Sequence, residues 1–218
     1  MIRALPLIVG IAPIIGVTIA YWLGSRNGVL PDCIPLLEGC TSISATGRYL
    51  PGSLVFKAIL LPQAAFLLVL WWFAVEWLRE VSPGARRHVL VLAFGAVGAA
   101  ALVVYVTFLG TRMPFYEFMR RFGIYLYFLG TALAQLQLTI MMPRLSLRKS
   151  MLWVIALPFL FGIANLAQKA LFDDTDLQEN RIEWIAALLM QSWFVLLYFA
   201  WRATGLTVTV RTDPSSAR

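Results

Sequence analysis

Six uninterrupted apolar runs of about 20 residues constrain this chain more than any other feature. A helix needs about that length to cross ~30 Å of hydrocarbon. The runs cover about 5–23, 54–78, 89–109, 118–142, 151–172 and 182–201. A transmembrane barrel would show short alternating segments, and these runs are continuous. Of the 218 residues 60% are hydrophobic and 13% charged, too few charges to clothe a soluble domain of this size. The fold class predicted is therefore all-α, a polytopic bundle of six spans. Residues 1–203 form one domain and 204–218 a short tail.

Charge placement predicts the orientation. In a six-span chain the two termini and the loops near 79–87 and 143–150 share one side. That side holds Arg3, Arg79, Arg86, Arg87, Arg144, Arg148, Lys149, Arg202, Arg211 and Arg218. The other side holds Asp32, Glu38, Glu117, Asp173, Asp174, Asp176 and Glu179. Excess Lys and Arg mark the cytoplasmic side, so both termini are expected there and loop 24–53 outside. The net charge of +7 then reflects topology, and nucleic acid is not an expected partner. The first span follows Arg3 and lacks a small-x-small cleavage site, so it is expected to remain as a helix. The membrane is a bacterial inner membrane or a eukaryotic secretory-pathway or plasma membrane.

Within the external loop, segment 40–57 is a polar island, CTSISATGRYLPGSLVFK. Its Ser, Thr, Gly and Pro favour turns and side-chain-to-backbone bonds over continuous helix, which predicts a cap or re-entrant loop. The two cysteines, Cys33 and Cys40, both lie in this loop. An oxidising compartment predicts one disulfide, with two free thiols as the alternative. Zinc wants three or four ligands and the sole histidine, His88, is on the other side, so no metal is expected. No cofactor motif occurs, and a haem would need more than that histidine.

Polar residues gather at the external ends of the spans. Arg48, Lys57, Arg121, Tyr125, Asn165 and Lys169 are the candidates for holding a lipid headgroup, anionic or glycolipid. Ser44 and Glu183 are the candidate nucleophile and base of an alternative, a membrane-embedded lipid acyltransferase or hydrolase. A serine nucleophile ordinarily needs a histidine or lysine base, so the non-catalytic reading ranks first. Arg120 and Arg48 also fit simple snorkelling to headgroups. Trp71, Trp72, Trp77, Trp153 and Trp201 are expected in an aromatic belt at the cytoplasmic interface, with Tyr21, Trp22, Tyr49, Tyr105, Phe115 and Trp184 toward the other. Gly95 and Ala99 stand four apart and predict a close helix approach. The sequence gives no oligomeric state.

Two short motifs carry a resemblance. The phrase Thr41-Ser-Ile-Ser-Ala-Thr-Gly-Arg-Tyr-Leu-Pro-Gly before the second span, and Glu183-Trp184 at the head of the sixth, resemble the Frag/DRAM/Sfk family of six-span membrane proteins. Where family members often carry a histidine near the head of span four, this chain reads Arg120-Arg121-Phe122-Gly123. The resemblance implies six spans with cytoplasmic termini and lipid-linked membrane biology of the GPI-anchor remodelling kind.

Overall fold

The computed structural model describes residues 2–83, 87–111, 113–171 and 176–206, the side chains of 166 and 169–171 excepted. Expectations placed on Arg86, Asp173, Asp174, Arg211, Arg218 and the Lys169 side chain lie outside the described residues.

Every regular element among these residues is helical. A single 3-10 turn, Ile2–Ala4, leads into α1, Leu5–Arg26. The long loop that follows carries two one-turn helices, α2 (Pro35–Glu38) and α3 (Ile43–Thr46). Then come α4 (Gly52–Val81), α5 (His88–Phe108), α6 (Pro114–Met141), α7 (Leu147–Leu171) and α8 (Asp176–Ala203). All six long helices contain apolar stretches sufficient to cross a membrane.

The helices overrun the apolar runs because polar first turns also fold. Pro114 opens α6, where its missing N–H has no intrahelical partner to lose. Asp176 and Glu179 in the first turn of α8 suit the positive end of its dipole. Likewise α4 begins at Gly52, so the polar segment 40–57 is not irregular throughout. Its irregular part ends at Pro51, and Gly52–Lys57 is already helix.

The long helices form a ring in which α1, α4, α5, α6, α7 and α8 each touch their neighbours, and α8 closes on α1. The two ends meet: the Arg3 guanidinium donates to the carbonyls of Leu206 and Gly205, the latter at 3.3 Å.

Lipid tails are as apolar as leucine, so packing and interhelical hydrogen bonds must hold the ring. Helices α5 and α6 approach through glycines. A Cβ on Gly130 would stand 2.9 Å from the Gly98 nitrogen, and one on Gly123 would stand 2.7 Å from the Tyr105 nitrogen. Gly95 plays a different part from the one expected of it. Its missing side chain makes room for the Trp71 indole from α4. Polar bonds tie the bundle together, among them Gln63 Nε2 to the Val9 carbonyl (2.7 Å), Gln135 Nε2 to the Met190 carbonyl (3.0 Å), Trp193 Nε1 to Thr139 Oγ1 (3.0 Å) and Trp77 Nε1 to Thr204 Oγ1 (2.9 Å).

The aromatic belt requires a correction. Trp71, Trp77 and Trp201 are at most 1% exposed and lie in the bundle interior with Trp193 and Phe194. Trp71 meets Trp193 at 6.0 Å and Phe194 at 5.7 Å between centroids, and Trp77 meets Trp201 at 6.4 Å. Trp72 and Trp153 do face outward, at 54% and 62% exposure. Tyr105, expected among the anchors of the other interface, is 3% exposed.

Candidate functional site

The site begins with a docked cap. Cys33 and Cys40 stand at disulfide distance, their Cα atoms 6.7 Å apart, around the short helix α2. Tyr21 on α1 braces this ring: its hydroxyl accepts from the Cys33 amide at 3.0 Å and donates to the Cys33 carbonyl at 2.6 Å. Gly39 ends α2 at φ 70°, and its open Cα lets the loop lie directly on the Leu177 carbonyl of α8.

Four bonds then fix the cap to the first turns of α8. Asn180 Nδ2 donates to the Gly39 carbonyl (2.8 Å), Arg181 to the Glu38 carbonyl (3.3 Å) and Trp184 Nε1 to the Thr41 carbonyl (2.9 Å). The Glu183 carboxylate accepts from the Ser44 amide at 3.2 Å. In α3, Ser42 caps the helix by accepting from the Ala45 amide at 3.1 Å, as a serine at that position does. The Glu183-Trp184 pair therefore holds the Ser42–Thr46 turn in place.

Beneath the cap lies a cavity of about 630 Å³ between α3, α5, α6, α7 and α8. Ser44, Arg48, Arg121, Tyr125, Asn165 and Glu183, all singled out from the sequence, line it together. Lys57 does not line this cavity; it lies one turn into α4, half-buried.

The arginines are unequal. Arg121 is 67% exposed and donates to Glu117 at 2.8 Å, whereas Arg120 is only 15% exposed and reaches Glu117 at 3.4 Å. Arg120 is thus the more enclosed of the two, although the sequence suggested simple snorkelling for it. A signal was present: Arg120 continues the 3-4 spacing of Gly123, Tyr127, Gly130 and Ala134, which are the buried face of α6. Tyr105 was also missed as a lining residue. Its hydroxyl is buried with no partner among the described residues.

Ser44 and Glu183 meet through the Ser44 backbone and not through its hydroxyl. The carboxylate takes the Ser44 backbone amide. The Ser44 hydroxyl instead meets Arg48 Nη2 at 2.9 Å and Ser42 Oγ at 3.1 Å. This arrangement orients Arg48, which has no ion pair among the described residues.

Two apolar spaces adjoin the polar cavity. Tyr125 and Phe128 also border a groove of about 370 Å³ between α6, α7 and α8, walled by Leu129, Val154, Ile155, Pro158, Phe159 and Met190. Tyr105 and Glu183 also border a slot of about 70 Å³ that extends inward to Gln191, whose Oε1 has no partner among the described residues. Helix α7, one wall of the groove, packs loosely: only 11% of its apolar stretch is buried in the bundle. No family model matches this chain, and no curated protein or solved structure matches it either.

Proposed function

We propose that this protein binds and handles a membrane phospholipid or glycolipid, with the headgroup in the cavity beneath the cap. The observation that carries this reading is the join between two unlike spaces. A cavity bearing Arg48, Arg120 and Arg121 shares Tyr125 and Phe128 with an apolar groove. Guanidinium groups offer forked donors suited to phosphate, and the groove offers an acyl chain apolar walls. The loose packing of α7 gives the chain a lateral way in. On this reading the cap faces the non-cytoplasmic side, both termini are cytoplasmic, and the cavity opens to the outer leaflet, as the loop charges predict. The Frag/DRAM/Sfk resemblance points to the same lipid-linked biology.

An acyltransferase or hydrolase using Ser44 ranks second, because its hydroxyl faces Arg48 and Ser42 and no base. The two readings part at Ser44→Ala. Under the first, lipid retention changes little; under the second, lipid turnover is abolished.

The test is mass spectrometry of lipids retained after purification in mild detergent. Arg120→Gln should lower retention about ten- to a hundredfold, the effect of one lost charge-assisted hydrogen bond. Lys57→Gln, away from the cavity, should leave it unchanged. Equal loss in both variants would reduce the arginines to general membrane electrostatics. Orientation is tested by single cysteines at 82 and 176 in a chain lacking Cys33 and Cys40. An impermeant maleimide should label only 176 in intact cells, and labelling at 82 would invert the topology.

A further inference from the structure

The cavity is not uniformly basic, and that narrows its ligand. Arg48, Arg120 and Arg121 share the cavity lining with Glu183 of α8. A purely anionic headgroup would leave the Glu183 carboxylate inside its own binding site at a Coulombic cost. Both signs border one half-open space, and Tyr105 lies on its lining. It is 3% exposed, lines both the cavity and the inner slot, and carries a buried hydroxyl without a partner among the described residues. A buried hydroxyl left unpaired is costly, so it points to a ligand atom or water that completes it.

We propose that the headgroup is a zwitterion of the ethanolamine-phospholipid class. Its phosphate rests on Arg48 and Arg120 and accepts from the Tyr105 hydroxyl, and its primary ammonium rests on Glu183. The inference depends on the lipid-binding reading above and specifies the headgroup for it. A primary ammonium has N–H donors that carboxylates can accept, whereas a quaternary ammonium has none. An anionic phosphodiester without an amine satisfies only the arginine side.

The test equilibrates the detergent-purified protein with equal amounts of phosphatidylethanolamine, phosphatidylcholine and phosphatidylglycerol of matched chains, read by native mass spectrometry. Ethanolamine lipid should exceed each of the others about tenfold, one charge-assisted hydrogen bond's worth. Glu183→Gln keeps an acceptor for the Ser44 amide, so the cap stays docked, but it should erase the preference over phosphatidylglycerol. Tyr105→Phe should weaken all three lipids alike and leave their ratio unchanged. Retention of phosphatidylglycerol equal to or above phosphatidylethanolamine, or equal retention of the choline lipid, would overturn the zwitterion while lipid binding stood. Retention of none of the three would overturn the lipid reading itself. Glycerophosphoethanolamine added alone forms the last arm. Binding as strong as that of the intact lipid would uphold the headgroup chemistry and remove the groove from the account.

Discussion

The two halves of α8 belong to different environments. From Met190 onward it is core: Trp193, Phe194, Leu197, Ala200 and Trp201 are all fully buried. Before Met190 no residue of α8 is fully buried, and that stretch instead carries Asn180, Arg181, Glu183 and Trp184 to the cap and Glu179 to the cavity. One half holds the bundle together; the other holds a space open. The bundle can keep a cavity at one end because its tryptophan-rich end closes without it. Marginal stability is tolerable at a binding site when a well-packed region secures the fold.

The contrast breaks most visibly at Trp193. Its ring contacts Trp71 and Phe194, and its N–H is bonded to Thr139. Trp193→Ala should cost about 3–5 kcal/mol through the cavity it leaves. Ile182→Ala, on the cavity wall and half-buried, should cost under about 1 kcal/mol, since part of its surface packs against nothing. Thermal unfolding of both variants in the same detergent compares them directly. Similar losses would mean that the cavity end is as closely packed as the other.

The sequence revealed the number and order of the helices because hydrocarbon thickness fixes the length of a span. It could not reveal how each helix is rotated. Helices in lipid are apolar on all sides, and the contrast that marks the inner face of a soluble helix is missing. That is why Trp71, Trp77 and Trp201 read as interfacial anchors when they are core. It is also why Arg121 was favoured over Arg120, one residue and about 100° away. Small residues carry the missing phase: Gly123, Gly130 and Ala134 mark the face of α6 on which Arg120 lies. The grouping of Ser44, Arg48, Asn165 and Glu183 was legible from their shared end of the spans. The slot behind Tyr105 was not, since it arises where five long helices and α3 leave a gap.

A middling effect is expected at the seam between the halves. Glu183→Ala removes the acceptor of the Ser44 amide and one of four bonds holding the cap. An amide left without a partner costs about 1–3 kcal/mol, concentrated in the cap rather than the bundle. Hydrogen exchange at Ser44 and its neighbours in α3 should quicken, while exchange in 190–201 stays as it was. Even acceleration along both stretches would show that the two halves of α8 unfold as one unit.

The smallest effects are the most discriminating, because they set one hydroxyl of each region against the other. Thr139 accepts from the Trp193 indole at 3.0 Å and donates to the Gln135 carbonyl at 2.7 Å. Thr139→Val keeps the shape and removes both bonds, and the interhelical one alone is worth ~0.6 kcal/mol on average within a membrane. Tyr105→Phe also deletes a single buried hydroxyl, but one with no partner among the described residues. No protein bond is lost with it, and an unpaired polar group leaves the interior. In detergent without added lipid, then, Thr139→Val should lower the unfolding temperature slightly, and Tyr105→Phe should leave it unchanged or raise it. With phosphatidylethanolamine present the order of lipid effects should reverse: the added lipid should stabilise Thr139→Val as much as the parent chain and Tyr105→Phe less. If Tyr105→Phe instead destabilises the lipid-free protein as much as Thr139→Val does, its hydroxyl is already satisfied within the fold. The cavity end would then be a second piece of core with nothing waiting to be bound.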